Sequence, residues 1–311
     1  AADKMYINGP DGEKVKSTIS MGIAVFPDHA SNGKDLFTMA DNMMYKAKKE
    51  GKNTLGVPTE EDVIDIYREI GKTSMIILNA IEDMQIVPFF QPIINVRTKE
   101  TAIHELLMRI DTEGELKSAS DFIDIAENLG VIHRMDYILI EKALKSIIET
   151  NYKGKIFVNL SPREMMIQEF IKNIKQLTLD YNVDPSTVVF EITERETVRN
   201  MALLEQFVHD LKKAGFNFAI DDFGSGFSSF SYIKRFPIDY IKIDGEFIRN
   251  MLTDVRDRAV VKSITTLARE LNILTIAEYV ESKEILKAVE EADIDFAQGY
   301  FIGKPGSKII I

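Results

Sequence analysis

TVVFEITERETVRNMALLEQFVHDLKKAGFNFAIDDF, residues 187–223, is the stretch on which the fold turns. It opens with the near-continuous apolar run TVVFEITE (187–194), passes through MALLEQFVHDLKKAG (201–215), and returns to a second apolar run, NFAIDDF (217–223). The middle segment has apolar residues at helical spacing and stops at a glycine, as helices often do. Runs this apolar are strands covered on both faces, so the unit reads as strand, helix, parallel strand. Working outward, further strands are expected at 86–96, 101–110, 155–161, 240–245, 274–280 and 296–302, with helical stretches between most of them. Eight such strands predict a TIM-like (β/α)8 barrel. The first two are joined by a short turn near Arg97-Thr98-Lys99. Parallel neighbours need a long connection, so the first strand is expected to run antiparallel.

The barrel is assigned to 85–311. Before it, TEEDVIDIYREIGKTSMIILNAIED (59–83) opens with Thr59 and three acids and carries an apolar stripe. A connecting helix, or a helix pair broken at Gly71, is expected over 59–84. Residues 1–58 read as a small α+β fragment: extended runs within 15–27, then a helix over 34–53 that stops at Gly51. That fragment is near the size at which an isolated core becomes marginal. Over 311 residues, 45% hydrophobic and 28% charged composition describes a globular chain. No apolar run reaches the ~20 residues that span a bilayer. The first residues lack a signal-peptide pattern, so a cytoplasmic location is expected, with room left for an upstream membrane, sensor or regulatory region. There are no cysteines, which excludes disulfides and thiolate chemistry, and the four histidines show no zinc spacing. A net charge of −11 repels a nucleic-acid backbone, so no DNA or RNA polymer is expected as a partner.

Polar residues interrupt the strands toward one end. Glu105 lies within the second strand, Asn159 follows Ile156-Phe157-Val158, and Glu191 follows Val188-Val189-Phe190. Asp221-Asp222, Lys242, Glu278 and Gln298 complete the series. Because strand side chains alternate, Lys242 and Asp244 should point inward if Ile241 and Ile243 face the helices. Barrel active sites lie at the C-terminal ends of the strands, where most of these residues fall. A single acid at a strand end usually solvates a loop. Five carboxylates on one rim require compensating cations, and one lysine is insufficient. Oxygen ligands without Cys or His favour hard divalent ions, Mg2+ or Mn2+. The adjacent Asp221 and Asp222 could serve two such ions, the arrangement used for displacement at phosphorus. DDFGSGFSS (221–229) then reads as a positioning or gating loop.

From Gln85 to about Pro305 the chain resembles an EAL-domain cyclic di-GMP phosphodiesterase. The resemblance rests on FQP (90–92), ELLMR (105–109), NLSP (159–162), FEITE (190–194), DDFGSGFSS, IDYIKID (238–244), AEYVE (277–281) and QGYFIGKP (298–305). STISMGIAVFP (17–27) and ADNMMYKAKKEGKN (40–53) resemble the last third of a GGDEF domain, whose signature this chain lacks. The resemblance implies that Glu105, Asn159, Glu191 and Asp221 bind a first divalent cation and that Asp221, Asp222 and Glu278 bind a second. It implies that Lys242 and Gln298 orient and help activate the attacking water, and that Gln91, Leu107, Arg109, Glu281 and Pro305 contact cyclic di-GMP. Glu194 is implied to hold the loop over Phe223–Ser229, with a homodimer formed through the barrel. The reaction implied is hydrolysis of one 3′–5′ phosphodiester to linear pGpG.

Leu106 stands where the usual signature has alanine, Phe227 where tyrosine is common, and Tyr279 where glycine is usual. A bulky side chain beside Glu278 is placed to crowd the second cation. That departure leaves room for a rival reading, a receptor that binds the dinucleotide without cleaving it. A metal-dependent barrel lyase or aldolase explains Arg109 and the paired aspartates less well. His104 precedes Glu105 and should face the other way, as a packing residue.

Overall fold

A computed structural model of the chain describes residues 6–8, 14–16, 18–30, 32–162, 164, 167, 169–225 and 232–310. Two compact units divide at Ile76/Ile77. In the first, β1 (Tyr6–Asn8) and β2 (Lys14–Lys16) pair antiparallel, and β3 (Met21–Gly22) pairs parallel with β4 (Leu55–Gly56). Helix α1 (Gly33–Lys49) starts at Asn32, whose side chain accepts the Asp35 amide, and buries Met39, Met43 and Ala47 at four-residue spacing. It lies directly on β3 and β4. A Cβ on Gly22 would stand 1.8 Å from the Ala40 carbonyl oxygen, so only glycine permits the approach. Helix α2 (Glu60–Glu82) opens on a Thr59–Asp62 capping box and is a single helix through Gly71, not a pair. One interior glycine costs only about 1 kcal/mol, which 23 residues of helix absorb.

The second unit is the barrel. Its strands are β5 (Ile86–Asn95), β6 (Thr101–Thr112), β8 (Lys155–Asn159), β9 (Val188–Thr193), β10 (Asn217–Phe223), β11 (Tyr240–Ile243), β12 (Leu274–Ala277) and β13 (Phe296–Gln298). The sheet closes through β5, which runs antiparallel to both β6 and β13, while the other pairings are parallel. The antiparallel first strand is therefore observed. Strand β7 (Glu115–Ser118) was not anticipated; it returns antiparallel along the end of β6, where β6 has already parted from β8.

One buried residue from each barrel strand forms the central packing layer: Ile93, Ile103, Phe157, Val189, Ala219, Tyr240, Ile276 and Phe296. Aromatic edges lock it, Phe157 on Tyr240 at 5.0 Å between ring centroids. This layer is the floor on which the polar residues stand. His104, on the opposite face of β6, is fully buried and bonded to the Tyr152 hydroxyl at 2.9 Å and the Ile310 amide at 3.2 Å. Because its Nε2 accepts from an amide, the ring is neutral, and burial holds its pKa down at about 4. It is a packing residue, as alternation predicts.

Candidate active site

Side chains on a strand repeat every second residue. Two positions on from each member of the apolar layer, toward the C-terminal ends of the parallel strands, stand Glu105, Asn159, Glu191, Asp221, Lys242, Glu278 and Gln298; on antiparallel β5, two positions back, stands Gln91. All eight strands thus contribute a polar side chain to one level. The register supports the alignment: Glu105 is opposite Gln91, and Asn159 is opposite Glu191.

Lys242 occupies the centre of this level at 1% exposure. Its Nζ lies 3.0 Å from Asp221 and from Glu278, 3.3 Å from Glu191 and 3.6 Å from Glu105. Burial alone would lower the lysine pKa, but the four carboxylates together raise it well above the ordinary value, so the ammonium stays charged. Gln298 donates to Glu105 at 2.5 Å, and the Asn159 amide approaches the other Glu105 oxygen at 3.3 Å. The carboxylates remain undercompensated. Burial pushes Glu191 well up despite Lys242, and pushes Glu278 up to about 8. Among the described residues, both Glu191 oxygens, Asp221 Oδ1 and Gln298 Oε1 are buried without a hydrogen-bond donor, although Glu191 and Asp221 are within ion-pair distance of Lys242. Buried oxygens that lack donors fit bound cations. Carboxylate oxygens of Asp221, Asp222 and Glu278 lie within 4.8 Å of one another.

Simple alternation would turn Asp222 away from Asp221. Instead the β10–β11 pairing slips between Ile220 and Phe223, and Asp222 adopts φ 51°. The bulge sets two β10 residues against Lys242 alone, so both aspartates reach the same end. Asp222 is raised to about 6, first by burial and then by Asp221.

Glu194, directly after β9, is the first residue of helix α6 (Glu194–Arg199) and is 1% exposed. Its Oε2 accepts the Gly224 amide at 2.8 Å, and its Oε1 accepts the Tyr232 hydroxyl at 2.7 Å. One carboxylate thereby holds both ends of the segment after β10. The Ser225 hydroxyl donates to the Asp222 carbonyl at 2.8 Å. Gly226, Phe227, Ser228 and Ser229 lie outside the described residues. Asp244 corrects the inward expectation: it caps helix α8 (Gly245–Asn250) by accepting the Glu246 amide at 2.7 Å.

A cavity of about 350 Å3 opens on the polar level and brings together Gln91, Glu105, Leu107, Asp221, Asp222, Lys242, Glu278, Glu281 and Gln298. Arg109 and Pro305 do not line it. Arg109 is two positions beyond Leu107 on the face of β6 that carries Glu105, where β6 pairs with β7. Its guanidinium donates to the Met108 carbonyl and lies 5.4 Å from the Phe89 ring centroid. Tyr300, which sequence reasoning missed, also lines the cavity; its signal was its place two positions beyond Gln298. Tyr279 lines it too, at φ 52° and 51% exposure, with its ring against Gly245 and 4.6 Å from the Arg249 guanidinium carbon.

The EAL domain family matches residues 75–305, and the diguanylate cyclase GGDEF domain family matches residues 6–54. The chain is 32% identical over 296 residues to the cyclic di-GMP phosphodiesterase PdeB of Shewanella oneidensis, covering 93% of this chain and 35% of the relative. It is 36% identical over 219 residues to the cyclic di-GMP phosphodiesterase PdeF of Escherichia coli, covering 69% of this chain and 29% of the relative. The chain thus spans about a third of the length of the curated relatives it matches. A solved structure of the PaMucR phosphodiesterase in complex with c-di-GMP superimposes with a TM-score of 0.70 at 27% identity, over 76% of this chain and 97% of that one.

Proposed function

Because the chain belongs to the EAL domain family, we propose that it is a phosphodiesterase that hydrolyses cyclic di-GMP to linear pGpG, with two divalent cations, Mg2+ or Mn2+. The observation that carries the proposal is the level of polar side chains, one per strand, in which both Glu191 oxygens and Asp221 Oδ1 are buried with no hydrogen-bond donor among the described residues. Glu105, Asn159, Glu191 and Asp221 would hold one cation; Asp221, Asp222 and Glu278 would hold the other. Bound there, such ions polarise a phosphoryl oxygen and make water a stronger nucleophile at neutral pH. The chain's own side chains do the rest. Lys242 and Gln298 share the Glu105 carboxylate and orient the water from the barrel centre. Gln91, Leu107 and Glu281 line the cavity that receives the dinucleotide, while Arg109 offers a guanidinium fork to a phosphate from β6. Pro305 belongs to the same set through the resemblance. Glu194 keeps the segment after Asp222 in place.

No helix among the described residues is long and apolar enough to cross a membrane. Two further parts of the proposal, action in the cytoplasm and a homodimer through the barrel, are measurable by fractionation and light scattering. The deciding experiment incubates the purified chain with cyclic di-GMP and Mg2+, Mn2+ or Ca2+ and resolves the products. Turnover to pGpG with Mg2+ or Mn2+ and much less with Ca2+, whose looser shell fixes a nucleophile poorly, is expected. Full activity in chelator would overturn the two-cation account, and binding without turnover would make the chain a receptor.

A further inference from the structure

Strand β8 ends at Asn159, and the turn that follows is held by a carboxylate outside the level already described. Glu164 Oε2 accepts the Ser161 amide at 2.7 Å, and the Glu164 amide returns to the Ser161 carbonyl at 3.1 Å. Glu164 is 1% exposed, and its second oxygen, Oε1, is buried with no hydrogen-bond donor among the described residues. What the side chain meets is another buried carboxyl, that of Asp136 on helix α4 (Ile132–Thr150), in hydrogen-bonding contact.

Two ionised carboxylates are acceptors only, so a hydrogen bond between them needs a proton. Two bare buried charges would cost several kcal/mol each. Burial, then the Glu164 charge, raises Asp136 well above the usual carboxylate range. Burial raises Glu164 to about 7, while the Ser161 amide and Asp136 hold it back, and the charge of Glu127 on α3 (Ile123–Leu129) pushes both acids up. The pair therefore shares a proton, and because Glu164 already accepts the Ser161 amide, Asp136 is assigned as its donor.

We propose that the Asp136–Glu164 acid pair is a positioning device for Asn159: Asp136 donates to Glu164, and Glu164 fixes the Ser161 amide two residues beyond the end of β8. The inference rests on the reading of Asn159 as a ligand of the first cation. Helix α4 thereby acts on the site without touching the reacting atoms. A side chain hydrogen-bonded to a metal ligand typically changes metal affinity 10–100-fold when removed; Glu164, which acts on Asn159 through two residues of backbone, is expected at the lower end of that range.

The test is Mn2+ binding to the full chain by calorimetry, without substrate, together with hydrogen exchange of the segment 159–162. Glu164→Ala is expected to weaken Mn2+ binding about tenfold and to speed exchange at Ser161. Asp136→Asn, which keeps a donor in place of the acid, is expected to leave both within twofold of the parent chain. Should alanine at 164 unfold the barrel, Glu164→Asp keeps the charge, shortens the reach and reads the same link. If Asn159→Ala weakens Mn2+ binding while Glu164→Ala and Glu164→Asp do not, the positioning role is overturned and the cation reading stands. If Asn159→Ala itself binds Mn2+ as the parent does, the ligand reading fails, and the positioning role with it.

Discussion

Lys242→Met tests the electrostatics of the barrel interior. Methionine has nearly the same length, so the substitution removes the charge and leaves the packing largely intact. At an effective dielectric near 20, a unit pair at the observed 3.0 to 3.6 Å is worth about 5 kcal/mol. Desolvation of the ammonium offsets much of the total. The net cost of breaking a buried pair by removing one partner is about 3–5 kcal/mol. We expect that loss in urea denaturation at pH 8 without divalent ions. It should shrink toward pH 5. A carboxyl with a raised folded pKa holds a proton that the unfolded chain has released, so it subtracts stability as pH climbs from its unfolded value to its folded one. Asp222, up at about 6 in the parent and held down in part by Lys242, should rise further once the lysine is gone, so above pH 6 the folded variant keeps a proton that the folded parent releases. The deficit relative to the parent should therefore grow between pH 5 and pH 8, and Mn2+ should stabilise the variant more than the parent. A variant as stable as the parent at pH 8 would refute the reasoning, because desolvation of Lys242 would then cancel its four ion pairs. A deficit independent of pH would refute it equally.

Glu194→Ala leaves the Gly224 amide and the buried Tyr232 hydroxyl without their acceptor, a cost of roughly 1–3 kcal/mol each if unrelieved. Turnover should fall while the barrel stays folded, and hydrogen exchange across 223–232 should rise; unchanged exchange with unchanged turnover would return Glu194 to a structural acid. Tyr279→Gly relieves a left-handed conformation that costs a non-glycine residue roughly 1–2 kcal/mol, but removes the ring from Gly245 and Arg249, so stability should change little. If the ring is a wall of the substrate cavity, KM for cyclic di-GMP rises several-fold with kcat unchanged; if it crowds the second cation, kcat rises and the Mg2+ requirement falls. His104 stays neutral down to about 4 in the folded chain while the unfolded histidine protonates near 6.5. It should therefore remove on the order of 3 kcal/mol as pH falls through that window, and His104→Gln should flatten that part of the profile.

The barrel was legible because its strands are covered on both faces, and each such strand writes a short, near-continuous apolar run into the chain. The antiparallel start was legible from one short turn at Arg97-Thr98-Lys99. Strand β7 was not, because ELKS at 115–118 is half exposed, has no apolar alternation and pairs only with the free end of β6. The unbroken α2 was not, because an exposed glycine weakens a helix by too little to decide between bending and continuing. Most of the site was legible through period two, since an acid, amide or lysine two residues beyond a core residue must face the same interior. The Asp136–Glu164 contact had no such signal. It joins a helix to a turn by tertiary packing, and either acid alone reads as a solvated surface residue. Tyr279 was visible as a departure, but its direction depends on a positive φ that the sequence does not encode.

The two consecutive aspartates show where alternation fails and why that failure is useful. A regular β10 would give the interior Ala219, Asp221 and then Phe223, and would hand Asp222 to the helical layer, where an unpaired carboxylate is costly. The slip in the β10–β11 register rotates Asp222 back toward Asp221, at the expense of a left-handed residue and a locally broken ladder. Such a bulge survives when something compensates for it. Within the described residues the compensation begins directly after it: Gly224 accepts a positive φ of 102°, and its amide is bonded to Glu194. Glu194 thus stabilises the geometry that makes the Asp221, Asp222 and Glu278 cluster. Its removal should act on cation binding at that cluster even though it contributes no ligand, and should leave the Glu105, Asn159 and Glu191 side of the level unaffected.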